Sequence, residues 1–167
     1  MRKHLVAAGA IALFCVAVPA QAAPHARAGG SGGPLACGTG HITWSPTTLW
    51  PPNHKLQTVT ITYTGDNDGD TAMVGVTNFS DSDAPGGIEV HGSGQPDPQQ
   101  GPDVVPGAPG SGPDSGPVTT TAQVRAERSG TGGGRVYTLT VSCTETDGDT
   151  GPAAATVTVP HDQGNHH

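Results

Sequence analysis

The sequence predicts an all-β fold, a single antiparallel β-sandwich interrupted by a long, disordered Gly/Pro-rich insertion. Three observations predict it. Residues 56–64 alternate, with Val59, Ile61 and Tyr63 on one face and Thr58, Thr60 and Thr62 on the other, the period of a sheet with one wet face. Threonine supplies 21 residues, most of them interleaved with Val, Ile or Leu, which suits a pleated, half-buried surface. No stretch shows helical periodicity with caps. Gly and Pro number 26 and 16 in 167 residues, and Leu, Ile, Val and Phe together only 27. That composition excludes a large helical core, a doubly wound α/β enzyme and a membrane channel, and predicts that part of the chain is disordered.

Residues 1–22 read as an export signal. Arg2, Lys3 and His4 form a basic start, Leu5 to Val18 is apolar, Pro19 breaks the run, and Ala20-Gln21-Ala22 is a small-x-small cleavage site. The apolar run is shorter than the roughly 20 residues a bilayer span needs. Cleavage after Ala28 is a second option, because Ala26-Arg27-Ala28 repeats the pattern. The expected product is secreted and extracellular. Loss of Arg2 and Lys3 leaves five basic side chains against 14 acidic ones. So acidic a chain has no pull toward a phosphate backbone or an anionic membrane. Loss of Cys15 leaves Cys37 and Cys143, and an even pair in an exported protein reads as one disulfide. Zinc is the weaker reading, since neither cysteine has another close by.

Residues 23–36 are rich in Gly, Ala and Pro and read as a flexible linker, with order beginning near Cys37. A sandwich over 37–163 follows. Gly40 to Trp44 is a short strand ended by Ser45-Pro46. The stretch Leu49-Trp50-Pro51-Pro52-Asn53-His54-Lys55 is an edge or connection, with Trp50 expected in the core, because its prolines remove donors. After the alternating strand at 56–64 comes an acidic turn, Gly65 to Asp70, and a strand from Ala72 to Thr77. Val118, Thr120, Ala122, Val124 and Ala126 mark the inward face of the next strand. A glycine hairpin tip over 129–134 leads to Tyr137, Leu139, Val141 and Cys143. After the tight turn at Asp147-Gly148-Asp149, Ala155, Val157 and Val159 form the closing strand. Residues 164–167 are a tail. The insertion, residues 80–117, holds 9 Gly and 8 Pro, too little apolar surface to offset the entropy of ordering. Ile88-Glu89-Val90 is the one place in it suited to strand pairing.

Three stretches carry a resemblance. Ser45-Pro46-Thr47-Thr48-Leu49-Trp50-Pro51-Pro52-Asn53-His54-Lys55 resembles the opening of Ig-like, HYR-like β-sandwich modules of secreted bacterial proteins. Arg125 to Gly130 with Arg135 to Val141, and the ending Val157 to Gln163, are similar to later parts of such modules. The resemblance spans roughly residues 41–163. It implies an accessory, non-enzymatic module for binding, adhesion or spacing, whose partner is an extracellular protein, a cell-wall component or a glycan. The final turn departs from the usual Asp-x-x-Gly-Asn type, and Cys37 precedes the first strand. A bridge from it therefore ties down the N-terminal end and does not cross the centre of the core.

The chemistry-bearing residues fall into two groups. Asp66, Asp68 and Asp70 sit at alternating positions in one turn, and Asp147 and Asp149 join them if both turns lie at one end; such oxygens suit Ca²⁺. The loop is not an EF-hand, and Asp-Gly runs are also ordinary turn chemistry. The second group, Trp50, Asn53, His54, Arg125, Arg128, His161 and Asp162, is a possible binding surface. His54 and His161 are the histidines to watch for a transition metal, although no His-x-His spacing supports one. Arg125, Arg128 and Arg135 form either a cationic spot or cross-strand pairs with Glu127 or Glu145. Trp44, Trp50 and Tyr63 serve the core or stack on sugars, the core being favoured. A small secreted hydrolase has the least behind it: there is no Gly-x-Ser-x-Gly elbow, and paired carboxylates need a cleft.

Overall fold

The computed structural model describes residues 29–82, 102–128 and 134–161. These are all-β, with nine strands and no helix among the described residues. They are β1 (Gly32–Cys37), β2 (Gly40–Ser45), β3 (Leu56–Thr64), β4 (Thr71–Asp81), β5 (Val104–Pro106), β6 (Gly110–Pro113), β7 (Val118–Arg125), β8 (Gly134–Glu145) and β9 (Thr150–Pro160). Two antiparallel sheets result, ordered β1-β2-β3-β7-β5 and β6-β4-β8-β9. One core fills the space between them.

The inward faces are the ones the alternation marks. Val59, Ile61 and Tyr63 in β3, Val118, Thr120, Ala122 and Val124 in β7, Tyr137, Leu139 and Val141 in β8, and Ala155, Val157 and Val159 in β9 are all buried. Trp44 is buried as well, and its indole N–H donates to the Thr156 carbonyl of the other sheet at 2.8 Å. That bond satisfies a donor that burial would otherwise penalise. In the proline-rich connection, Leu49 is the plug, fully buried, while Trp50 stays half-exposed. The core placement expected for Trp50 is thus corrected. The backbone fixes which side chain enters, since Leu49 N–H donates to the Thr158 carbonyl of β9.

Two boundaries change. Residues 32–36 are not linker but, with Cys37, form an edge strand on β2, and Gly29 bridges Thr48. Within 80–117, Ser80 and Asp81 end β4, and the described residues 102–117 are ordered rather than disordered, contributing β5 and β6. These short strands bury few side chains of their own; they borrow order by pairing with the long strands β7 and β4. Between them, Gly107 to Pro109 carries the chain from one sheet to the other. Ile88-Glu89-Val90, the signal segment 1–22, most of the glycine tip, Asp162 and the 164–167 tail lie outside the described residues.

Gly110 shows how tightly the crossing is built. A Cβ on it would overlap the Thr119 carbonyl oxygen of β7. Gly110→Ala is therefore expected to push β6 away from β7 and to cost about 1–3 kcal/mol, read as a lower denaturation midpoint. The neighbouring Gly112→Ala, whose Cβ meets only a Val118 methyl at 3.4 Å, should cost clearly less.

Candidate functional site

Antiparallel order sends alternate connections to opposite ends of the sandwich. One end gathers residues 38–39, 65–70, 114–117 and 146–149, between β1 and β2, β3 and β4, β6 and β7, and β8 and β9. Seven carboxylates meet there: Asp66, Asp68, Asp70, Asp114, Glu145, Asp147 and Asp149.

Glu145 anchors this end. It is buried, and the Tyr63 hydroxyl donates to its Oε1 at 2.7 Å while the Thr39 hydroxyl donates to Oε2 at 2.6 Å. Burial, reinforced by the bond to Glu145, pushes the Tyr63 hydroxyl up to about 12. Gly65 allows the closure, because a Cβ there would lie 2.7 Å from Glu145 Oε1 and 2.8 Å from Asp114 Cβ. Asp114 is 1% exposed; its Oδ2 accepts the Asp68 N–H at 2.8 Å and the Gly69 N–H at 3.4 Å. Thr146 ties two turns together: its hydroxyl donates to Asp70 Oδ1 at 3.0 Å and accepts the Thr71 N–H at 3.2 Å. Asp68 and Asp147 each accept the N–H two residues on, from Asp70 and Asp149, as Asx turns do.

Three carboxylate trios have one oxygen from each member within 4.8 Å of the others: Asp66, Asp68 and Asp114; Asp68, Asp70 and Asp147; Glu145, Asp147 and Asp149. The structure thus brings Asp66, Asp68, Asp70, Asp147 and Asp149 to one end. It adds Asp114 and Glu145, which the sequence reading missed. Crowding raises two of these groups. Asp68 is held above the usual carboxylate range by lost hydration and by Asp66, Asp70 and Asp114. Asp149 is raised chiefly by Asp147, with lost hydration and Glu145 behind it.

The other end holds the second predicted group. Asn53 and His54 lie in the connection before β3, His54 exposed and Asn53 half-buried, and Arg128 and His161 are also half-buried. The His54 Nδ1 lies 3.5 Å from Glu127 Oε2. Arg125 departs from its expected place on a surface: it is 7% exposed, and its guanidinium donates to the carbonyls of His54 at 2.8 Å and Pro102 at 3.2 Å. Arg135 is fully buried and donates to Asp103 Oδ2 at 3.0 Å, with Arg125 Nε 3.6 Å from Oδ1. The counter-charge shown for both arginines is therefore Asp103, from the stretch read as insertion. Glu145, the other partner considered, sits at the opposite end of β8. Among the described residues, the clusters within reach of one metal ion consist of carboxylates alone, so His54 and His161 contribute to none of them.

Fold and site together define a disulfide-tied, two-sheet β protein with one strongly acidic end. Comparison with known proteins adds nothing to that definition, because no family model, no curated protein and no solved structure matches the chain.

Proposed function

We propose that the protein is a secreted, non-catalytic module of the Ig-like type that works by contact with an extracellular glycan or cell-wall polymer. The observation that carries this reading is the outer face of the β1-β2-β3-β7-β5 sheet. Cross-strand pairing aligns Thr43, Thr62 and Thr119 in one row and Ser45, Thr60 and Thr121 in the next. Ser31, Thr43, Ser45, Thr60 and Thr62, together with Trp44, line a shallow depression of about 120 Å³ there. Hydroxyls both donate and accept, so an open face of them matches an extended polyol better than a small buried substrate. The Cys37–Cys143 disulfide supports export, since such bonds persist in oxidising compartments.

The test is retention on insoluble peptidoglycan and on a panel of immobilised glycans. Wild-type protein is expected to be retained by at least one polymer, and Thr60→Glu with Thr62→Glu to lower that retention at least tenfold with the fold intact. Equal retention of the variant removes this face from the reading. No retention on any polymer leaves spacing as the role.

A further inference from the structure

We propose that the acidic end binds a hard divalent cation, calcium by its chemistry, centred on Asp66, Asp68 and Asp114. This goes beyond the contact function and does not depend on it. Acidic turns on a surface are common without an ion, so the cluster alone would carry nothing. Asp114 is what changes the argument. It sits in the β6–β7 turn, 46 residues from Asp68 in sequence, and only 1% of it is exposed. Its Oδ2 is used by the Asp68 and Gly69 amides, but Oδ1 is shut off from solvent and has no hydrogen-bond donor. Folded proteins rarely keep a buried polar atom unsatisfied unless an ion or a water completes it. Asp114 also offers one oxygen within 4.8 Å of oxygens of Asp66 and Asp68, and a carboxylate that keeps a buried oxygen unsatisfied in such company calls for a cation.

The charge distribution points the same way. Lys55, Arg125, Arg128 and Arg135, the Lys and Arg among the described residues, all lie toward the opposite end. Among the described residues, seven carboxylates therefore share one end with no lysine or arginine beside them, a charge imbalance that a bound cation would relieve.

Distance and donor type select the ion. The three ligand oxygens lie within 4.8 Å of one another, which a central ion with oxygen contacts of about 2.3–2.6 Å can span. An all-carboxylate donor set suits a hard cation and not zinc or copper. The donors come from separate turns, and calcium tolerates such irregular geometry where magnesium demands a near-ideal octahedron at about 2.0–2.1 Å. Asp70 and Asp147 reach the same ion region through Asp68, whose trios overlap. Glu145 has both oxygens engaged by Tyr63 and Thr39 and acts as a positioning residue. Asp149 shares a trio only with Glu145 and Asp147 and none with Asp66, Asp68 or Asp114.

The experiment is calorimetric titration of chelator-treated full-chain protein with CaCl₂, paired with thermal melting in Ca²⁺, in Mg²⁺ and in NaCl of matched ionic strength. Saturable calcium binding is expected in the range of extracellular modules, about 10⁻⁴–10⁻³ M, with a melting midpoint raised above the NaCl control. Asp114→Asn should weaken binding at least tenfold and Asp149→Asn less than threefold. Should Asp114→Asn fail to fold, the exposed Asp66→Asn serves in its place and should also weaken binding tenfold. A wild type that shows no saturable heat and no shift beyond NaCl overturns the proposal, and so does unchanged affinity in the Asp66 and Asp114 variants. Polymer retention measured in chelator reads a different face, so failure here and failure of the contact function are separable.

Discussion

Asp103→Ala is expected to lower the unfolding free energy by about 3–5 kcal/mol, the usual cost of leaving a buried charge without its partner. The guanidinium of Arg135 and the carboxylate of Asp103 are both fully buried, 3.0 Å apart. The same Arg135 nitrogen donates to the Tyr137 hydroxyl at 3.2 Å, and the guanidinium carbon lies 5.8 Å from that ring's centroid. Burial alone would lower the Arg135 pKa, but Tyr137 and Asp103 more than reverse this, so the group stays charged. Alanine removes the acceptor of the Arg135 N–H together with the side-chain volume, both of which a protonated Asp103 keeps, and leaves the buried cation behind. The measurement is a denaturant titration, with the midpoint falling and the slope unchanged because the unfolded state is the same.

Asp103 also sets a pH dependence. Burial pushes its carboxyl up to about 6 against the pull of Arg135 and Arg125, with Glu127 and Asp81 adding to the rise. The unfolded chain releases this proton near the ordinary aspartate value of about 3.9. Between about pH 4 and pH 6 the folded state holds a proton that the unfolded state has lost, so stability falls as pH rises through that window and levels above it. The raised Asp68 and Asp149 act with the same sign. Melting midpoints in wild type should therefore decline from pH 4 to 7, worth about 1–3 kcal/mol from Asp103. Asp103→Asn should flatten the decline. An equally steep decline in that variant would show that Asp103 is not its source.

Strands that bury one face against a full partner were legible because alternation is a property of the strand itself. β3, β7, β8 and β9 all announced themselves this way, β2 was read as a short strand ended by Ser45-Pro46, and the turns between β3 and β4, β7 and β8, and β8 and β9 followed from Asp-Gly and Gly-rich runs. β1, β5 and β6 did not. Their residues, such as Gly-Gly-Pro-Leu-Ala-Cys in β1, bury almost nothing; what orders them is backbone pairing, β1 to the adjacent β2 and β5 and β6 to the more distant β7 and β4, and pairing without side-chain burial leaves no alternation to read. Propensity argued for disorder and tertiary pairing overrode it.

The candidate site divides along the same line. Asp66, Asp68 and Asp70 could be grouped from spacing, and Asp147 and Asp149 from a shared turn type. Asp114 could not, since Pro113-Asp114-Ser115-Gly116 reads as one more loop in a Gly/Pro-rich stretch. Only the pairing of β6 with β4 carries it to the Asp68 turn. Arg125 and Arg135 misled for a related reason: arginine is seldom buried unless paired, and their partner Asp103 lay in the segment expected to have no structure.

Joint replacement of Cys37 and Cys143 by alanine is the remaining large effect, a loss of about 2–5 kcal/mol and a midpoint lower by roughly 5–15 °C. The bridge spans 106 positions, so it removes many conformations from the unfolded chain; for a loop near 100 residues the entropy model gives about 4.7 kcal/mol. It also joins the two sheets, tying the last residue of β1 to β8. β1 is an edge strand with a register shift between Gly32 and Leu35, and Cys37 is its one buried side chain. Without the sulfur link, its amides should be the first in the sheet to gain hydrogen-exchange rate. Here the loss differs in kind from that of Asp103→Ala. An uncrosslinked unfolded chain exposes more surface, so the denaturant slope should rise as well as the midpoint fall. A midpoint that falls at constant slope would place the bridge's contribution in the folded sheets and would contradict the entropic account.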